Sequence, residues 1–229
     1  MLNYEVDRSA LTDLVPRGTE LDEWQGRMYL SVVGFLFLGT RVLGLPIPFH
    51  RDFEEVNLRF YVRRRTEEGW RRAVVFVKEM VPRAAIAMVA RALYNEKYVA
   101  VPMDHEVRRA PDEPQRIESV SYRWDFAGRR NRLSVSVDSD PQPLVAGSHE
   151  EFIAEHYWGY AVQRDGGTCE YYVKHPSWLV APAVHAELDC DVGLVYGEEF
   201  SQVLQPRPVS AFLAEGSEVT VSRGVRVVG

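Results

Sequence analysis

The stretch EEVNLRFYVRRRTEEGWRRAVVFVKEM, residues 54–80, alternates apolar and polar side chains up to a turn and turns mostly apolar after it. Val56, Leu58, Phe60 and Val62 fall on one side of the first arm; Glu55, Asn57, Arg59 and Tyr61 fall on the other. That is the period of two a strand imposes. TEEGW (66–70) supplies the turn and RAVVFVKEM (72–80) the return arm, so the segment predicts an antiparallel hairpin. Two readings of the polar face are open. It is a solvated outer surface, or, in a barrel with an outer helix layer, it lines the interior. In the second reading Glu79, at the end of the return arm, and Arg83 just beyond it join Glu55 in a partly apolar cavity. Such groups shift one another's pKa values and orient a small acid.

Outward from this hairpin the pattern stays β-rich. MYLSVVGFLFLG (28–39) reads as a buried strand, 98–109 as a strand leading outward, and 118–140 as a hairpin around Ala127-Gly128. Residues 167–183, 188–203 and 207–228 supply further strands. Helices are few: a short one with an extended entry in 1–24, one over 82–94 with Pro82 in its first turn, and one over 148–160 opened by the Ser148/Glu151 capping box. No repeat or Gly/Ser/Pro-rich linker divides the chain, so 1–229 reads as one mainly β (α+β) domain.

Composition narrows the function classes. The chain has 229 residues, 46% of them hydrophobic and 26% charged, enough for a substantial core. A net charge of −6 and a pI near 5.6 argue against nonspecific nucleic-acid binding, which needs a basic field. The apolar run 28–49 is interrupted by Arg41 well short of the ~20 residues of a membrane span. The N-terminus lacks a basic start followed by an apolar core, so the expected location is cytoplasmic, with no membrane contact. Cys169 and Cys190 have no CxxC spacing and read as free, buried or half-buried thiols.

The common chemical motifs are missing. There is no GxxxxGK[ST], GxGxxG or GxSxG, so neither a nucleotide cofactor nor a serine nucleophile is expected. In HEEFIAEH (149–156) the histidines are seven apart, roughly 10 Å along a helix, too far to share one ion; no metal is expected. In YYVKHPSW (171–178), Tyr171, Val173 and His175 share one side, and His175 with Trp178 reads as a pocket rim or as a histidine hydrogen-bonded in place. Only three lysines occur, Lys78, Lys97 and Lys174, so side-chain amine chemistry is confined to them.

The order EEVNLRFYV, then VVFVKEMVPRAAIAMVARALYNEKYVAVPM, then EEFIAEHYWGY and YYVKHPSW resembles the YqjF-like family of uncharacterised bacterial proteins, over about residues 24–205. That family is similar in fold to acetoacetate decarboxylase. The resemblance implies a closed antiparallel β-barrel with a few outer helices and an internal cavity. Taken residue by residue, Phe53-Glu54-Glu55 matches the decarboxylase's Tyr-x-Glu strand, with Glu55 as its carboxylate. Glu79 falls near its second acid, Arg91 on its arginine, and Lys97 near its lysine pair. The resemblance thus implies Lys97 as an imine-forming amine, with Glu55 and Glu79 as acid–base partners.

The departures cut the other way. Lys97 is flanked by Glu96 and Tyr98, and no two lysines are adjacent. A neighbouring carboxylate favours the ammonium, the wrong direction for a nucleophile. The first expectation is therefore a cavity that binds a small carboxylate or apolar metabolite without catalysis. Arg59, Arg91 and His175 would pair with the acid, and Tyr94 and Trp178 would wall the site. A decarboxylase or lyase using Lys97 and a non-catalytic scaffold stay open as alternatives. Barrel edges and the 82–94 helix are the surfaces a homo-oligomer would use.

Overall fold

The computed structural model describes residues 1–38, 41–42, 45–46, 52–84, 95–205 and 207–227. The first strands are β1 (Leu2–Val6), β2 (Glu20–Leu21), β3 (Met28–Phe37), β4 (Arg41–Val42), β5 (Leu45–Pro46), β6 (Phe53–Thr66) and β7 (Gly69–Val81). Then come β8 (Tyr98–Ala100), β9 (Met103–Arg109), β10 (Ile117–Phe126), β11 (Arg129–Ser136), β12 (Gln142–Pro143), β13 (Trp158–Val162) and β14 (Thr168–Lys174). β15 (Leu179–Pro182), β16 (His185–Asp189), β17 (Ser210–Ala214), β18 (Thr220–Val221) and β19 (Val225–Arg226) complete the set. The helices are short: α1 (Arg8–Leu11), α2 (His149–Ala154), α3 (Val192–Tyr196) and α4 (Ser201–Leu204). None of the described helices is long and apolar enough to cross a membrane.

β6 and β7 form the predicted hairpin, paired from Val56–Met80 to Thr66–Gly69, with a bulge between Leu58 and Arg59. They sit in the middle of a sheet of order β12-β15-β17-β1-β3-β6-β7-β13-β14-β18, with β2, β8 and β19 pairing at its margins. A second sheet has order β16-β11-β10-β9. Its β10–β11 hairpin turns at Ala127 and Gly128, both with positive φ (48° and 81°), as a two-residue turn that matches strand twist requires.

The expected closed barrel is corrected here. Among the described residues the ends of the long sheet do not pair, and β9, β10, β11 and β16 stand apart from it. The two sheets meet face to face. At Gly34 on β3 a Cβ would lie 2.5 Å from the Tyr122 ring and 2.9 Å from Leu133, so the missing side chain is what lets the smaller sheet settle onto the larger. One apolar core fills the layer between them. Leu30, Val32, Val56, Leu58 and Phe60 come from the long sheet, and Val120, Trp124, Leu133 and Val135 from the short one. Side chains this large hold the sheets apart as layers, so their edges do not merge.

The entry to the chain holds an extended segment and the expected short helix, α1: the extended part is β1, which pairs with β3 and β17, and buried Asn3 is satisfied by Ser210 (2.8 Å) and Ser31 (2.6 Å). One local expectation changes. Most of 188–203 is helical, not extended. Asp191 caps α3 by accepting from the Leu194 N–H (3.1 Å), and Gly197, at φ 122°, ends it. The expected helix over 82–94 falls largely outside the described residues.

Candidate functional site

β6 is covered on both sides. The face opposite the main core carries Glu55, Asn57 and Tyr61, each only 1% exposed, so the polar face of this strand is interior. Further along the same face, Tyr61 packs with Val74, Phe152 and Ile153 beneath α2. At the other end the face is polar throughout, and three strands build it. Register places Asn57 of β6 opposite Glu79 of β7, and Glu79 opposite Tyr98 of β8. Residues paired in this way point to the same side of a sheet.

Glu55 anchors the group. Its Oε1 accepts from the Asn57 amide (3.0 Å) and its Oε2 from the Tyr98 hydroxyl (2.9 Å). A further acid enters from the chain just before β8. Glu96, 7% exposed, accepts from the Tyr171 hydroxyl of β14 (2.7 Å). Tyr171 reaches it across Gly159 of β13, where a Cβ would fall 2.2 Å from the phenol ring. Glu79 is 2% exposed, and its Oε2, like Asn57 Oδ1, is a buried acceptor with no hydrogen-bond partner.

Burial sets the protonation of these acids. It pushes Glu55 up to about 7, against the pull of Asn57, Tyr98 and the Arg59 charge. It pushes Glu96 up to about 8, against the pull of Tyr171 and Lys97. Glu79 is raised well above the carboxylate range by burial, then by the charges of Glu96 and Glu55. Near neutral pH the cluster therefore holds protons in place of charge. Carboxyls poised there can donate or accept a proton on a bound molecule.

The residues expected at the site divide. Glu55 and Glu79 lie in it. Lys97 does not: the chain alternates through 96–98, so Glu96 and Tyr98 turn in while Lys97 is exposed. Its charge still acts on Glu79 and Glu96 from outside. Lys78 faces the other side of β7, donating to the Val195 carbonyl and lying 4.9 Å from the Phe126 ring; burial and then Lys97 lower its pKa. Arg59 stands beside the cluster, but its Nη2 donates to the Ile153 carbonyl (3.1 Å). His175 is stacked between Tyr157 (4.7 Å) and Trp178 (4.1 Å), its Nδ1 2.8 Å from the Pro176 carbonyl oxygen, so its partners are rings and backbone, not the acids. Trp178 donates to Ser217 (2.9 Å). Arg91 and Tyr94 lie outside the described residues.

Sequence reasoning missed Glu96 and Tyr171 as members of the site. The signal for Glu96 is the two-residue period running back from Tyr98, which turns both away from Lys97. Alternation puts Tyr171 on the His175 side of its strand, but nothing in the sequence pairs it with residue 96.

The histidines of 149–156 serve separate surroundings. His149 Nδ1 meets Ser210 Oγ (3.0 Å), and His156 lies beyond the helix over the Tyr61 ring (4.6 Å). No cluster among the described residues has the makings of a metal site. Cys169 and Cys190 are free thiols, one buried and one partly so.

Comparison with known proteins agrees with this architecture. The model of the family DUF2071, described as "Uncharacterized conserved protein (COG2071)", matches residues 1–218. The uncharacterized protein YqjF of Bacillus subtilis (strain 168) is 27% identical over 194 residues, 84% of this chain and 75% of that protein. Among solved structures, the enduracididine biosynthesis enzyme MppR with HEPES buffer bound superposes with a TM-score of 0.66 at 15% identity, covering 99% of this chain and 84% of that one. Acetoacetate decarboxylase from Legionella pneumophila subsp. pneumophila str. Philadelphia 1 gives 0.60 at 13%, covering 99% and 83%. At these identities the likeness is one of fold: a mainly β chain with few helices and acetoacetate decarboxylase-like neighbours.

Proposed function

The chain belongs to the DUF2071 family of uncharacterized conserved proteins, and from that premise we propose that it binds a small metabolite at the Glu55–Glu79–Glu96 cluster, through hydrogen bonds and without an imine. One observation carries this reading. Glu79 Oε2 and Asn57 Oδ1 are deeply buried acceptors left without partners, beside carboxyls and tyrosine hydroxyls that are otherwise mutually satisfied. An unpaired buried polar group costs about 1–3 kcal/mol, and a ligand that supplies the partner recovers it. The fold is compatible with small occupants: MppR has been solved in complex with pyruvate.

An imine-forming enzyme is disfavoured by position. Of the lysines, Lys78 is shifted toward its neutral form but lies across β7 from the acids, and Lys97 is exposed; the Met1 amino group, lowered to about 5, is given to the Phe212 carbonyl (2.8 Å). A Schiff base needs amine and acid–base group on one substrate.

The test is a thermal-shift screen of keto, hydroxy, aliphatic and aromatic acids and of small amines, followed by borohydride treatment with any keto acid that binds. We expect one class to raise Tm by several degrees, Glu79→Gln to abolish that shift, and the chain mass to stay unchanged after borohydride. A reduced adduct on Lys78 or Lys97 would restore the enzyme reading. No stabilisation by any class would leave the chain a scaffold.

A further inference from the structure

Alternation along β6 puts Arg63 on the same face as Tyr61, and at the turn end of the hairpin this face opens as a solvent-facing cleft of about 330 Å³. Arg63 from β6, Trp70 and Arg72 from β7, Asp22 and Trp24 from the turn after β2, and Phe152 from α2 line it. Roughly 26 Å of strand separate Arg63 from Glu55, so the cleft is distinct from the acid cluster. Its rim is tied together across elements. The Trp24 indole donates to the Gly147 carbonyl (3.2 Å), and the Gly147 N–H donates to Glu151 (2.6 Å). Two backbone bonds between Trp24 and Arg27 close the turn that presents the indole, and the His149 ring braces it (5.0 Å between centroids). Arg72 lies over the Phe152 ring (4.6 Å) and Arg63 over the Trp70 ring (4.4 Å), yet Trp70 keeps 46% of its surface open. Rings and guanidiniums are thus held in place before any ligand arrives.

The charges of the cleft are already matched. Arg72 is paired with Asp22 (2.8 Å) and Arg63 with Glu20 (2.7 Å), and Glu23 and Glu151 complete the lining. An anion would meet three carboxylates there, and a cation two fixed guanidiniums. Spare hydrogen-bonding capacity remains in both senses. Of the five N–H donors on each guanidinium, Arg63 gives one and Arg72 two. Glu151 Oε1 and the Glu23 carboxylate accept no hydrogen bond among the described residues. A hydroxyl group suits such a lining, because it donates once and accepts twice.

We propose that this cleft is a second binding site and that its ligand is a neutral ring carrying adjacent hydroxyls, a pyranose sugar or a cyclitol. Its C–H face rests on the indoles of Trp24 and Trp70, and its hydroxyls lie between the arginines and the glutamates. Such a ring displaces neither member of an ion pair as it enters. Its apolar face takes indole surface out of water, and its polar edge stays wet in the open cleft. The volume lies at the low end of the range for small-molecule sites. One stacked ring in an open cleft implies weak binding, with a dissociation constant on the order of 1 mM.

The test is an NMR titration of the full chain, read at the tryptophan indole N–H signals. The probes are methyl glucopyranoside, methyl mannopyranoside, methyl galactopyranoside and myo-inositol, with cyclohexylammonium and cyclohexanecarboxylate as charged rings of similar size. Trp24→Phe and Trp70→Phe, each removing one signal, assign the two indoles. We expect a glycoside or inositol to move the Trp24 and Trp70 signals and to leave that of buried Trp124 in place. Trp70→Ala, at a half-open position, should weaken that ligand at least fivefold. If a charged ring moves the two signals and no sugar or inositol does, the neutral ligand is wrong. Undiminished binding in Trp70→Ala would place the sugar elsewhere and overturn the cleft as its site. No movement of either indole at about 50 mM of every probe, far above the expected constant, would overturn the proposal outright.

Discussion

Gly159 and Tyr171 show how one missing side chain shapes the site. The phenol lies flat over the glycine to reach Glu96, and a methyl group there would stand 2.2 Å from its ring carbon. The ring cannot yield without giving up the Glu96 carboxyl. Gly159→Ala should therefore cost about 2 kcal/mol in urea denaturation and weaken any ligand of the cluster. An unchanged unfolding midpoint would show that the ring has another place to go. Glu96→Gln makes the complementary case. Glutamine keeps the oxygen that accepts from Tyr171 and cannot ionise, so the variant should be more stable than wild type at pH 8.5 and differ little at pH 5. At this scale the sequence was half legible. Alternation placed Glu55 and Glu79 on one face of a hairpin because both sit in strands whose partners are adjacent in the chain. Tyr171 reaches Glu96 across 75 residues, and no local period records that.

Elements paired by short turns were readable, and those set by distant partners were not. The β6–β7 and β10–β11 hairpins carry their own turn and period, and both form where expected. LNYEV (2–6) alternates as a strand should, but its partners are 28–32 and 210–211, so only the fold reveals it as central. Over 188–203 the expected strand gives way to helix because Asp191 caps α3 and Gly197 ends it. Closure was misjudged for a related reason. Whether two sheets join by edges or by faces depends on what stands between them, and here that is Tyr122 and Leu133 resting on Gly34. Gly34→Ala should lower stability by about 1–3 kcal/mol, because the clash is with large side chains of a well-packed layer. The loss should appear as a lower urea midpoint at constant m, since the surface exposed on unfolding is the same. A drop in m would instead mean that the β9–β10–β11–β16 sheet had already come away.

For the whole molecule, the acid cluster and the buried histidine shape stability against pH in opposite senses. Glu55 and Glu96 hold their protons to about 7 and about 8 in the folded chain, against 4.5 when unfolded. The folded state thus binds more protons than the unfolded one from pH 4.5 upward, and stability falls as pH rises through that window until the folded carboxyls ionise. His156 acts the other way. Burial lowers it to about 4 from 6.5, so its contribution is present above 6.5 and is lost as pH falls toward 4. The Met1 amino group acts in the histidine's sense but higher in pH: burial and then the Arg59 charge lower it to about 5 from 8.0, so its contribution grows as pH rises to 8 and opposes that of the acids. The acids are therefore read by comparison: the stability of Glu96→Gln relative to wild type should rise by on the order of 2 kcal/mol from pH 6.5 to pH 8.5 in urea denaturation. His156→Gln should change little relative to wild type over that range and alter the profile mainly below pH 6.5. A stability difference between Glu96→Gln and wild type that stays constant over that range would mean that Glu96 is already ionised when folded, and that the cluster holds charge in place of protons.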